Sequence, residues 1–283
     1  MTAALMMYDT GQFLISSPVL CFFSLLGLAL LISAIGFFRF IYFISVGYGF
    51  AISGMALFLL LVFGGRLNLP FILHGGLLIL YGLRLALFLL RREFKPAYRK
   101  EMAATERETS PIVGWGRVAV WMIVSMLYVL MISPLVFQGF AAEGGFFPYL
   151  GVVVMAVGMS LEALADRQKS AFKQKNPASF CNSGLFAWVR CPNYFGEITF
   201  WTGNIITGLA LYRGIVTWMM AIIGWIGILF VMLVSTVRLE LKQDERYGGD
   251  TAFQVYRSKV PLILPFVPLY SLKNLKKLIS LRV

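Results

Sequence analysis

The sequence predicts an all-α membrane protein, a bundle of seven transmembrane helices. Three observations carry that reading. Hydrophobic residues occupy 59% of the 283 positions, whereas soluble domains sit near about 45–50%. Between Asp9 and Arg91 the only charged side chains are Arg39, Arg66 and Arg84, and a bilayer core admits long runs of this kind. The net charge of +12 lies mostly in the connections between apolar runs. That is a topogenic pattern and argues against a nucleic-acid surface.

The apolar runs place the spans at roughly 12–38, 40–63, 69–90, 112–138, 146–165, 194–212 and 214–237, each close to the ~20 residues a crossing needs. No Lys or Arg precedes the first run, so it lacks the charged start of a cleavable signal peptide. Short turns at Arg39, Arg66 and Arg213 join spans one to two, two to three and six to seven. Longer connections cover 91–111, 139–145 and 166–193. With the N-terminus outside, one face collects Arg39, six bases in 91–110, five in 167–190 and nine after Val237. The other face holds only Arg66 and Arg213. This asymmetry predicts a cytoplasmic C-terminus, as in a bacterial inner membrane.

The tail after Val237 is too apolar to be a disordered polybasic arm. Tyr256, Val260-Pro261 and Leu264-Pro265-Phe266-Val267-Pro268 predict a segment folding back over 240–268. From Lys273 to Arg282, lysines alternate with Leu272, Leu275, Leu278 and Ile279, the pattern of a short interfacial amphipathic helix. Three parts follow: the first two helices (1–68), a membrane domain carrying the site (69–268) and a basic amphipathic close (269–283). The cysteines, Cys21, Cys181 and Cys191, and the single His74 match no metal-site spacing, and no metal is expected.

Three polar stripes break the apolar pattern. Glu162, Asp166, Lys169 and Lys173 fall at i, i+4, i+7 and i+11 and share one helix face. Two acids lie deep and two bases shallow. That order suits a ligand with hydroxyl or amide groups at one end and phosphates at the other. Asn193, Glu197, Trp201 and Asn204 fall at i, i+4, i+8 and i+11 and also share one face. Pro192 fits a first helical turn, and Arg190 meets free N–H groups there, a place for phosphate. The third stripe holds His74, Tyr81 and Arg84, with Arg91, Arg92 and Lys95 below. A buried arginine needs an anion. Ionisable groups inside a membrane point to function by default.

Taken in order, these pieces resemble the steroid 5α-reductase-like membrane family, in its bacterial branch. The matching residues are Leu83-Arg84-Leu85; Glu162-x-x-x-Asp166 followed by Lys173; Gly184-Leu185-Phe186 through Arg190-x-Pro192-Asn193-Tyr194-x-Gly196-Glu197; and Tyr256 before Pro265-Phe266. The likeness covers roughly residues 70 to 268. It implies a seven-helix enclosure for NADPH and an oxidoreductase acting on a CH–CH bond. Arg84, Glu162, Asp166, Lys173, Asn193, Glu197 and Tyr256 become cofactor contacts by matching position. Arg92, Lys95, Arg190 and Tyr194 join them as candidate cofactor-binding residues, and Tyr81 aligns with the catalytic tyrosine. Steroid reductases also place a glutamate in an early span, and this chain has no acid there. The substrate implied is a hydrophobic, lipid-like enone. Two readings stay beside this one. A close variant of the Pro-Asn-Tyr-x-Gly-Glu core occurs in S-adenosylmethionine-dependent isoprenylcysteine and phospholipid methyltransferases, and a non-catalytic NADPH-binding protein is the other.

Overall fold

The computed structural model describes residues 17–94, 114–141 and 145–274. These residues form helices, turns and irregular chain, with no strand among them. The helices are α1 (Pro18–Ser33), α2 (Val46–Val62), α3 (Leu69–Glu93), α4 (Trp115–Ala141), α5 (Phe146–Lys175), α6 (Pro192–Thr207), α7 (Ile215–Tyr247) and α8 (Thr251–Lys259). Short 3-10 turns extend α1, precede α2 and cover 184–187. Helix starts follow local chemistry. Ser17 and Asn68 accept from the N–H groups of Leu20 and Phe71, and a proline stands in the first turn of each helix. Asp250 caps α8 by accepting from Ala252 N–H at 2.8 Å.

Among the described residues six helices are long and apolar enough to cross a membrane. They correspond to six of the seven expected spans. The remaining one falls on α6, which has 16 residues. At 1.5 Å per residue that is about 24 Å, short of a ~30 Å hydrocarbon core. The α5 and α7 helices run past the expected span ends, to Lys175 and Tyr247. The amphipathic helix expected from Lys273 lies mostly outside the described residues, as do Lys95 and the rest of the 95–113 loop.

The chain divides into two compact units, 1–152 with 204–225, and 153–203 with 226–282. In the first, α2 packs most extensively on α3, and α1 and α4 pack on α2. Lipid tails are as apolar as leucine, so helices in a membrane associate by close packing and polar links. Both appear here. A Cβ at Gly49 of α2 would stand 2.6 Å from the Gly82 carbonyl oxygen of α3, so the backbones touch. Pro134 lies inside α4 and offers no N–H to the Leu130 carbonyl. Gly224 of α7 approaches that carbonyl, where a Cβ would stand 2.5 Å away.

One residue further along α4, the Met131 carbonyl accepts from Asn204 Nδ2 at 2.9 Å. That bond orients the Asn204 amide, so its oxygen faces His74 Nε2 at 2.9 Å and the proton sits on Nε2. A neutral ring then accepts at Nδ1, which lies 2.9 Å from the Gln138 amide. The Gln138 NH2 group has to face the ring, a half-turn that also gives a partner to a buried nitrogen otherwise lacking one. The lone histidine is thus a polar tie of α3 to α4 and α6.

In the second unit α5 and α6 meet at another glycine pair. A Cβ at Gly196 would stand 2.6 Å from Glu162 N and 2.8 Å from the Gly158 carbonyl oxygen. All of these atoms are backbone and cannot swing aside. Gly196→Ala is expected to destabilise the detergent-solubilised protein by about 1–3 kcal/mol, the range for overpacking. Gly27→Ala, on an exposed face with open space around it, should be neutral or slightly stabilising. Denaturant unfolding of the two variants in one detergent makes the comparison. Equal stabilities would show that the α5–α6 contact can yield.

Candidate functional site

The segment from Gly184 to Glu197 is assembled in three local steps. Gly184 has φ +61°, a left-handed conformation open to glycine. A Cβ there would lie 2.6 Å from Gln168 Oε1, which accepts the Leu185 N–H at 2.9 Å. Phe186 then buries beside Ala165 and Cys181. Its carbonyl accepts the Tyr256 hydroxyl at 2.6 Å. Phe180 stacks on the Tyr256 ring at 5.3 Å, and burial raises the Tyr256 phenol above its usual range, keeping it a neutral donor.

The second step docks the tail. The N–H groups of Arg190 and Cys191 donate to the carbonyls of Pro261 and Leu262 at 2.9 and 3.0 Å. Cys191 packs with Val237, Leu262 and Leu272, and burial pushes its thiol up to about 11. The Arg190 side chain is fully buried. Its Nη2 donates to the Tyr270 carbonyl and lies 3.8 Å from Glu240 Oε1. Glu240, also buried, accepts the Leu272 N–H at 2.9 Å through its other oxygen. Desolvation pulls the Arg190 guanidinium below its ordinary range, and the Glu240 charge opposes this. Asp244 continues the tie outward, paired with Arg257 at 2.7 Å and with Lys273.

The third step starts α6. Pro192 opens the helix, where its missing N–H is harmless. Asn193 and Tyr194 follow, both half-buried, and then Gly196 and Glu197, both buried. The glycine contact holds this turn against the backbone of Glu162. Glu162 and Glu197 are 3% and 6% exposed, and Asp166, one turn along α5, is half-buried. Two elements that carry buried carboxylates therefore touch at Gly196. Lys173 closes the α5 stripe, donating to Tyr247 Oη and the Ser179 carbonyl, each at 2.5 Å.

The remaining candidates stand on α3 in the first unit. Tyr81 is fully buried, its hydroxyl 3.3 Å from that of Tyr48. Arg84 and Arg92 are half-buried on the same helix. The sequence reading overlooked Glu240, Gln168, Gly158 and Tyr48. Glu240 had a signal, since it is flanked by Leu239 and Leu241 within a charged run. Gln168 and Gly158 had none that separates them from other polar and small residues on α5.

Removing one partner of a buried ion pair strands the other. Glu240→Gln is expected to cost about 3–5 kcal/mol in denaturant unfolding. Arg257→Gln, which breaks a partly exposed pair, should cost under about 1 kcal/mol. Similar values for the two would deny Arg190–Glu240 its place as the anchor of the tail.

Residues 39–260 match a family model described as "Protein of unknown function (DUF1295)". The steroid 5-alpha-reductase DET2 of Arabidopsis thaliana is 33% identical over 120 residues. That stretch is 42% of this chain and 41% of the relative, so the chain spans less than half the length of the curated relative it matches. No solved structure matches. Six apolar helices and a match over most of the chain agree that this is a multi-pass integral membrane protein. The chain belongs to the DUF1295 family, a steroid 5α-reductase-like family of membrane proteins.

Proposed function

We propose that the protein is an NADPH-dependent reductase of a carbon–carbon double bond conjugated to a carbonyl in a hydrophobic, lipid-like substrate. The observation that supports this most is the α5–α6 contact. It sets the carboxylate-bearing turns of Glu162 and Glu197 against each other, with Asp166 and Lys173 following on α5. Carboxylates in a buried place accept strong hydrogen bonds from hydroxyl and amide donors. The hydroxyls of a ribose and the amide of a nicotinamide are such donors, and the bases of the stripe suit phosphates. The donor set therefore fits a nicotinamide dinucleotide.

Within this reading Glu162, Asp166, Asn193, Tyr194 and Glu197 accept from or donate to the polar groups of the cofactor. Arg84, Arg92, Lys95 and Lys173 serve its phosphates. Arg190 and Tyr256 belong to the same site, through the loop they hold in place, by way of Glu240 and the Phe186 carbonyl. NADPH, when bound, supplies the hydride for the β-carbon of the enone. Tyr81 is the proton donor, its hydroxyl polarising the substrate carbonyl and giving up its proton as the double bond shifts. The basic connections and the tail lie on the cytoplasmic side in this reading, where the reductant is available. The hydrophobic substrate enters from the lipid, and no metal takes part.

Thermal-shift titration of the detergent-extracted protein with NADPH, NADH and S-adenosylmethionine tests the assignment. NADPH is expected to stabilise the protein. Glu197→Ala and Asp166→Ala should each weaken that binding by about 1–3 kcal/mol. Added salt should weaken it as well, as it screens partly exposed charge pairs. Stabilisation by S-adenosylmethionine alone would make the protein a methyltransferase and overturn the proposal. So would the absence of any shift with NADPH.

A further inference from the structure

Leu264-Pro265-Phe266-Val267-Pro268 forms the tip of a small closed loop. The Leu262 N–H shuts its base by donating to the Leu269 carbonyl at 2.8 Å. At the tip the Val267 N–H donates to the Leu264 carbonyl at 3.4 Å. Pro265 takes the second place of this turn, and Phe266 the third, with φ +66°. That is the pattern of a type II turn, whose third place ordinarily holds glycine or asparagine. A bulky side chain in the left-handed region strains the backbone. The protein buries little of the ring in return. Phe266 is 84% exposed and meets Trp188 edge to face at 5.9 Å, and Trp188 is itself 64% exposed. Val267 and Pro268 beside it are exposed as well.

Packing sets the depth of this tip. Cys191, Leu262 and Leu272 pack with Val237, where the apolar run of α7 ends before Arg238. Phe186, two residues before Trp188, is buried beside Ala165, where the apolar run of α5 ends before Asp166. The loop and Trp188 therefore stand level with the plane at which two spans leave the hydrocarbon. The chain between Val237 and Leu262 first follows α7 outward to Tyr247, about 15 Å at 1.5 Å per residue, and then returns. Aromatic side chains concentrate at the membrane interface, and Tyr270 adds a third exposed ring. Nine bases against four acids follow Val237, a balance that suits anionic headgroups.

We propose that the Phe266 turn, with Trp188 beside it, inserts into the headgroup boundary of the bilayer that the protein itself spans, with the bases of the tail on anionic lipid headgroups. The strained turn directs the ring outward, and lipid rather than protein buries it. The same loop supplies the Pro261 and Leu262 carbonyls that hold the N–H groups of Arg190 and Cys191, so its insertion fixes the segment that opens α6 at the membrane surface. The proposal does not depend on the reductase reading.

The test measures depth on the full chain, reconstituted in vesicles of phosphatidylcholine with phosphatidylglycerol. A nitroxide is attached through Val267→Cys, beside the intact Phe266. Val157→Cys on the exposed apolar face of α5 is the lipid reference, and Gly249→Cys, exposed beyond the end of α7, is the water reference. The native cysteines are buried, and wild-type protein treated alike gives the blank. Oxygen, which concentrates in lipid, and a water-soluble nickel chelate compete to relax each spin. Position 267 is expected to favour oxygen, as position 157 does, and position 249 to favour nickel. A nickel preference at 267 overturns the proposal. So do low values for both relaxers, which would mean that the protein's own chain covers the tip, and spectral broadening that grows with the protein-to-lipid ratio, which would mean a second copy. Phe266→Asn keeps a residue that tolerates the left-handed turn but removes the apolar ring. It should cost position 267 its oxygen preference, and an unchanged preference would deny Phe266 its role. Thermal melting checks that each variant is folded, and the label beside the intact Phe266 decides alone if Phe266→Asn is not. In phosphatidylcholine alone the oxygen preference should fall, and an equal value would overturn the headgroup half of the proposal.

Discussion

Backbone contact at glycine is the constraint on which the polar features of this protein depend. In lipid the hydrophobic effect does not draw one helix to another, so the distance between helices is set by the smallest side chains at their crossing. Gly49 and Gly82 set it for α2 and α3, Gly158 and Gly196 for α5 and α6, and Gly224 for the approach of α7 to the Leu130 carbonyl. Each contact does chemical work through its neighbours in sequence. Tyr48 and Tyr81 adjoin the first pair. Glu162 and Glu197 adjoin the second, within one turn. The chemistry-bearing residues are held by the residues beside them that have no side chain.

Buried polar groups follow a second rule, that each needs a partner. The proline in α4 and the histidine in α3 illustrate how one local defect is absorbed. Pro134 removes a donor from its own helix, and the same turn then receives Gly224 and the amide of Asn204. Asn204 in turn fixes the proton on His74. The Arg190–Glu240 pair applies the rule outside the spans. A buried ion pair adds little net stability compared with an apolar core, but it disfavours every arrangement that separates its members. With the Tyr270 carbonyl and the Leu272 N–H also bound to it, the pair selects one docking of the tail and so one shape for the loop that opens α6.

Several features were legible in the sequence because they are local. Hydropathy is summed over neighbouring residues, so the apolar runs could be read directly. The 3.6-residue period placed Glu162 with Asp166, and Asn193 with Glu197, on single faces. Pro192 marked a helix start and the structure has one there. The segment around Tyr256 and its prolines was expected to fold back, and it docks on Arg190 and Cys191. The run at 194–212 was read as a full span, but the chain leaves the helix at Thr207. Hydropathy does not register where a helix ends, and residues 208–212 are as apolar as the helix before them.

Other features were invisible for a physical reason. Glu240 reads as one more charge in a basic tail, and its burial depends on a backbone some 30 residues away. Tyr48 reads as one aromatic among the 25 Phe and 12 Tyr of the chain, and Gly49 as an ordinary membrane glycine. The His74 partners stand 64 and 130 positions away in sequence. What the sequence by itself determined is membrane insertion, the faces of the helices and the identity of the motif, since each is a sum or a period over adjacent residues. Which glycine meets which, which hydroxyl faces Tyr81 and which acid neutralises Arg190 were decided only by the tertiary structure. Those relations exist between segments brought together by packing, and no property of either segment alone contains them.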